Sequence, residues 1–192
     1  MRPKVAVVGS SNTDLVAFVE RLPEQGETLI GHRFLQTPGG KGANQAVAAA
    51  RLGAEVTFIA RVGSDAFGRA ACENFRREGI LTDYIVQDSE APSGVALIFV
   101  GARGENMIVV VPGANARLSP ADVERAEEAL RSAHVLLLQL ETPLETVARA
   151  LEIAAESGVT VLLNPAPACH LPPSLLSKVD WLTPNETEAS AL

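Results

Sequence analysis

The sequence is short of nearly everything that ties a protein to a disulfide framework, a membrane or a polyanion. Its only cysteines, Cys72 and Cys169, stand far apart without Cys-x-x-Cys spacing, which excludes a disulfide-rich scaffold and a cysteine-built zinc site. The histidines, His32, His134 and His170, are scattered, and no two have a metal-ligand spacing. No apolar run approaches the roughly 18 residues of a membrane span, and no secretory hydrophobic segment is visible, so a protein of the reducing cytoplasm with no membrane partner is expected. Basic runs are missing too, and the formal net charge is −7, so nucleic acid is not an expected partner. With 192 residues, 47% of them hydrophobic, and no internal repeat, the expectation is one soluble main domain with a sizeable core.

What the chain does have is a glycine-rich stretch set directly before an alanine-rich segment. In Pro38-Gly39-Gly40-Lys41-Gly42-Ala43-Asn44-Gln45-Ala46, three glycines let the backbone turn tightly and let other groups approach it closely. The segment Ala43 to Leu52 reads as a helix stopped by Gly53, so its first N–H groups, its partial positive charge and Lys41 are expected to face an electron-rich ligand. Two familiar phosphate motifs do not fit. A P-loop needs glycine where Leu35 stands and Ser or Thr where Gly42 stands. The stretch Val8-Gly9-Ser10-Ser11-Asn12 lacks the glycine spacing of a dinucleotide fingerprint and leads into an extended segment instead of a helix.

Around this stretch the chain alternates between short apolar runs and helical segments. Lys4 to Gly9, Glu55 to Val62, Val135 to Leu140, Val159 to Leu163 and Val179 to Thr183 read as strands buried on both faces. Ala66 to Glu78, Pro120 to Ser132 and Pro143 to Ser157 read as helices, with Ser64 or Asp65 as a cap, first-turn prolines and a stop at Gly158; another helix starts near Asn185. Two excursions carry no helical period: Leu15–Val19 with Thr28–Phe34, and a hairpin of Gly94–Val100 with Asn106–Val111 after a short run at Tyr84–Val86. The expected fold is α/β, a mostly parallel sheet flanked by helices, with a small antiparallel β lid. Residues 1–11, 39–91 and 113–192 would form the core, and 12–38 and 92–112 the lid.

Ligands of open parallel sheets bind at the carboxyl ends of the strands. The polar residues that follow the apolar runs are Asn12 and Asp14, then Glu141, Asn164, and Asn185 with Glu186 and Glu188. Carboxylates accept from hydroxyls while amides and an ammonium donate, so this set with Lys41 suits a polyol. Each residue alone also reads as a turn, cap or surface residue.

The segments Gly9-Ser10-Ser11-Asn12-Thr13-Asp14, Gly39 to Ala46, Gly94 to Val100, Gln139-Leu140-Glu141, Asn164 to Ala168 and Thr183 to Ala189 together resemble the PfkB carbohydrate kinases across essentially the whole chain. The resemblance implies transfer of the γ-phosphoryl group of ATP to the 5-hydroxyl of ribose, with Mg²⁺ as cofactor and a monovalent cation, K⁺, for the complete enzyme. It implies that Asn12, Thr13, Asp14, Gly40, Lys41, Gly42, Ala43, Asn44 and Glu141 form the substrate site. It implies further that Asn185 faces the nucleotide, that Glu188 acts on Mg²⁺ through water, and that the lid joins two copies as a homodimer. The family's Gly-Ala-Gly-Asp element, whose aspartate is the general base, is not found in these residues, so no catalytic residue is assigned; it is expected in a further C-terminal part, with the adenine pocket and the cation loop. Another sugar or a nucleoside as substrate, or a catalytically dead fragment that binds sugar or dimerises, are the alternatives.

Overall fold

The computed structural model describes residues 2–191. In chain order its elements are strand β1 (Lys4–Val8), β2 (Asn12–Phe18) and β3 (Arg33–Gly39), helix α1 (Lys41–Arg51), β4 (Glu55–Gly63), α2 (Ala66–Arg77), β5 (Ile85–Asp88), β6 (Gly94–Val100) and β7 (Asn106–Val111). After a 3-10 turn at Gly113–Arg117 come α3 (Pro120–Glu124), α4 (Glu127–Arg131), β8 (Val135–Leu138), α5 (Leu144–Ser157), β9 (Thr160–Leu163), α6 (Pro173–Leu176), β10 (Trp181–Leu182) and α7 (Glu186–Ala191).

The main sheet has six strands in the order β10-β9-β8-β1-β4-β5, paired in parallel throughout. Alternation along the strands explains why they read as continuous apolar runs. Ala6, Val8 and Ile59 pack with Val123, Leu130, Val147 and Leu151 on the side of α3, α4 and α5, while Val7, Phe58 and Ala60 pack with Ala43, Ala46 and Phe75 on the side of α1 and α2. Two helix ends follow local chemistry: Asp65 caps α2 by accepting from Gly68 N–H at 2.8 Å, and Gly158 ends α5 at φ 68°.

The second sheet has four strands in the order β3-β2-β6-β7, and it is mixed, not antiparallel. Its outer pairs are antiparallel, but β2 and β6 run parallel, with Asn12 opposite Gly94. The reason is topological. Both strands leave the main sheet at the same edge, after β1 and after β5, and so they must start side by side and point the same way.

Other differences are local. The strand expected at Thr28–Phe34 lies later, at Arg33–Gly39, and carries the chain straight into the glycine pair. The helix expected over Pro120–Ser132 is two helices, because Ala126 N–H bonds back to Val123 and the tightened turn sets Ala126 fully inside the core. The strand expected at Val179–Thr183 keeps only Trp181 and Leu182; before them the Asp180 carboxylate accepts from Val161 N–H at 2.7 Å where a strand carbonyl would stand. The short α6 was not legible in the proline-rich turn.

Candidate functional site

The start of α1 is pressed onto the end of β1. Gly40, the residue before the helix, has φ 90°, and a Cβ there would lie 2.7 Å from Asn12 N. A Cβ on Gly42 would lie 2.5 Å from Ser10 N and 2.7 Å from the Gly9 carbonyl carbon. This closeness changes what the helix end offers. The expectation that its free N–H groups face a ligand is corrected: Lys41 N–H donates to Glu141 Oε2 at 2.9 Å, Gly42 N–H to Ser10 Oγ at 3.2 Å, and Ala43 N–H to Ser10 O at 2.8 Å. Strand ends cap the helix, and the side chains of Lys41 and Asn44 are what remain. Neither makes a hydrogen bond or ion pair among the described residues; Lys41 is half-buried and Asn44 exposed.

Glu141 is half-buried just beyond β8. Its Oε2 accepts from both Lys41 N–H and Ser10 Oγ–H, and Oε1 has no partner among the described residues. One carboxylate thus caps the helix with one oxygen and keeps the other for a hydroxyl.

Across from it stands the small sheet. Asn12 and Asp14, two apart on β2, share a face with Gly39 and Thr37 of β3, Gly94 and Ala96 of β6, and Val110 of β7 by register. Val110 and Glu141 line one cavity of about 530 Å³, with Pro112 and Thr142, so that face looks toward the end of β8. Burial raises the pKa of Asp14 above the ordinary aspartate value, and the charge of Glu141 raises it further. Two carboxylates that feel each other while half-buried form a poor resting arrangement but a good one for accepting from the hydroxyls of a sugar.

Not every expected residue takes part in the same way. Thr13 points to the opposite face of β2, beside Val95 and Pro38, and lines a separate cavity of about 150 Å³ toward α2. Gly42 and Ala43 are buried, and the missing side chain of Gly42 lets α1 approach β1. Asn185 and Glu188 form a reciprocal cap of α7: Glu188 N–H donates to Asn185 Oδ1 at 2.8 Å, and Asn185 N–H to Glu188 Oε2 at 2.9 Å. They stand at the end of β10, beyond β8 and β9 in the sheet from Glu141. Sequence reasoning missed Ser10 and Asn115 as members of the site. Ser10 lies inside one of the motifs but carries no charge, and Asn115 lies in none of them.

The sequence matches the family described as pfkB family carbohydrate kinase over residues 2–192. It is 48% identical over 192 residues to a ribokinase of Haemophilus influenzae, covering 100% of this chain and 63% of the relative. It is 45% identical over 189 residues to a deoxyribokinase of Salmonella typhimurium, covering 98% of this chain and 62% of the relative. The chain therefore spans a little under two thirds of the length of these curated relatives. Among solved structures, that of Arabidopsis thaliana ribokinase complexed with ribose and ATP superposes with a TM-score of 0.90 at 36% identity, covering 100% of this chain and 63% of that one. A Thermotoga maritima ribokinase superposes with a TM-score of 0.86 at 35% identity, covering 96% and 60%.

Proposed function

The chain belongs to the pfkB family of carbohydrate kinases, and from that premise we propose that the full-length protein transfers the γ-phosphoryl group of ATP to the 5-hydroxyl of ribose. The observation that carries the reading is the nearness of the Asp14 carboxylate on β2 to Glu141 beyond β8, with the side chains of Lys41 and Asn44 at the start of α1 unpaired among the described residues. Such a set recognises neighbouring hydroxyls by accepting from some and donating to others. When bound, ATP supplies the phosphoryl group and Mg²⁺ neutralises its charge. The chain's own residues bind and orient the sugar, and the two-layer arrangement of small sheet over core excludes water from it.

The α7 start fits a nucleotide-side role: Asn185 is exposed, and the Glu188 carboxylate, though held by two Asn185 donors, keeps free lone pairs. Among the described residues no group of three or more His, Cys, Asp or Glu could hold a metal ion. A single carboxylate suits a Mg²⁺ carried by the nucleotide and reached through water. A requirement for K⁺ and a cytoplasmic location belong to the same reading and rest on the family resemblance.

The lid over residues 12–38 and 92–112 is also proposed to pair with a second copy. Met107, Ile108, Val109 and Val111 of the edge strand β7 are 45–52% exposed, and Phe34 on the opposite edge strand β3 is 65% exposed. Open strand edges with apolar side chains need cover, and a two-fold partner supplies the same surface in return. Sedimentation of parent and Val109→Lys proteins tests this; a parent that is monomeric at tens of micromolar, an order-of-magnitude range for weak association, would overturn it.

A second substrate is favoured by the Salmonella relative named deoxyribokinase. Rates of ADP release on ribose, deoxyribose, fructose and adenosine, measured side by side, decide. Sugar-dependent turnover highest on a pentose supports the reading, and preference for fructose or adenosine overturns it.

A further inference from the structure

Asn115, in the turn after β7, is 1% exposed and uses its whole carboxamide. Its Oδ1 accepts from Ser11 N–H at 2.8 Å, and its Nδ2 donates to Ser11 O at 3.2 Å and to Asn12 Oδ1 at 2.7 Å. The backbone of Ser11 fixes which atom is which. An N–H only donates and a carbonyl only accepts, so the Asn115 amide has one orientation. That orientation then fixes the next one: Asn12 must turn Oδ1 toward Asn115. The opposite atom, Asn12 Nδ2, has no partner among the described residues and is not sealed from solvent. Asn12 shares its face of β2 with Asp14, so this free donor stands on the side where Asp14 and Glu141 present only acceptors.

Gly94 makes the contact possible. A Cβ on it would run into both Asn115 Nδ2 and Asn12 Oδ1, so the two amides meet in the space that a missing side chain leaves.

We propose that Asn115 is a positioning residue for substrate choice: it orients the Asn12 carboxamide so that the site offers the sugar an N–H donor beside two carboxylates. This rests on the sugar-kinase reading of the site. The consequence is selectivity for a sugar oxygen at that point with a lone pair to give, since a flipped amide would present a third acceptor.

Asn115→Asp tests this in the full-length protein. The new carboxylate still accepts from Ser11 N–H, loses the bond to Ser11 O and can only accept from Asn12, so the Asn12 amide must turn over. The Kd for ribose should rise roughly tenfold, as expected when the sugar loses one hydrogen bond from Asn12 Nδ2 and meets one opposed lone pair. Gly94→Ala should do the same by separating the amides. In the double variant Asn12→Ala with Asn115→Asp, ribose should bind no more weakly than to Asn12→Ala alone; a merely structural Asn115 would give losses that add. A second readout needs no sugar. Solvent exchange of the Asn12 side-chain NH₂, followed by NMR, should slow in Asn115→Asp because Nδ2 is drawn into the buried bond. A parent that binds no ribose overturns the sugar-kinase reading, whereas additive losses or unchanged Asn12 exchange overturn the role of Asn115.

Discussion

Replacing Gly42 by alanine separates the two demands placed on the start of α1. By helix propensity alone the change should stabilise the protein by about 1 kcal/mol, because glycine is the poorer helix residue. The structure says otherwise. The added Cβ would lie 2.5 Å from Ser10 N and 2.7 Å from Ser10 O, backbone atoms of the chain leaving β1 that have no rotamer to give. Ordinary carbon contacts begin near 3.5 Å, so the helix start must withdraw by roughly 1 Å. Overpacking of this kind costs about 1–3 kcal/mol, which leaves a net loss of at most about 2 kcal/mol once propensity is counted. The functional effect should be far larger. The same movement stretches the bonds from Lys41 to Glu141 and from Gly42 and Ala43 to Ser10, and with them the placement of Lys41 and Asn44. A misplacement of about 1 Å costs on the order of 100-fold in rate. The assay is ADP release by the full-length protein at varied ribose, with a thermal melt beside it. Gly53→Ala is the control, since its Cβ would meet nothing within 4 Å and any cost there comes from φ 94° alone, away from the site. Unchanged kcat/KM in Gly42→Ala would refute the claim that the approach of α1 to β1 sets the site.

Glu141→Gln keeps an acceptor for Lys41 N–H but loses the charge, and should weaken sugar binding by about 1.5–3 kcal/mol, read as a rise in Kd by calorimetry; unchanged affinity would move the sugar site elsewhere. Because burial raises the folded-state pKa of Asp14, its contribution to stability is present below the unfolded value, about 3.9, and is lost as pH rises through the folded value. Asp14→Asn should therefore melt higher than the parent at neutral pH, with the gain vanishing in acid, while ribose affinity falls. The Asp88 carboxylate is held well below its ordinary value, first by the N–H groups of Glu90 and Ala91 and then by Arg61 and Arg117. Its contribution is present above the unfolded pKa, so Asp88→Asn should melt lower at neutral pH, and the difference should close as pH falls through the depressed value.

How far the sequence could be read depended on how local the cause was. The strands of the main sheet were legible because burial on both faces leaves an unbroken apolar run, as in Val5 to Val8 and Val135 to Leu138. The caps at Asp65 and Gly158 were legible because their partners lie within a turn. The direction of β6 beside β2 was not, since Gly94–Val100 pairs with a strand that the chain left before building β3, α1, β4, α2 and β5. The loss of the expected strand before Trp181 was also non-local, because the Asp180 carboxylate takes the Val161 N–H.

The site shows the same division: the glycine-rich stretch is legible in the sequence, but the partners of its N–H groups are not. Three glycines before a helix say that something comes close. They do not say whether it is a ligand or the chain itself. Here it is the chain: Ser10 and Glu141, the latter a hundred residues away from Lys41, take the N–H groups that the sequence offered to a ligand. Under the proposed function that arrangement has a logic. A helix end capped by a carboxylate is fixed before any sugar arrives, so Lys41, Asn44 and the free oxygen of Glu141 do not have to be ordered by the ligand. Asp14 is the counterpart whose carboxylate has no hydrogen-bond partner among the described residues, with its pKa raised by burial and by Glu141. Under the same proposal the site gives up some stability at Asp14 that the hydroxyls of the ligand restore, and that is why Asp14→Asn should be the variant in which stability and affinity move in opposite directions.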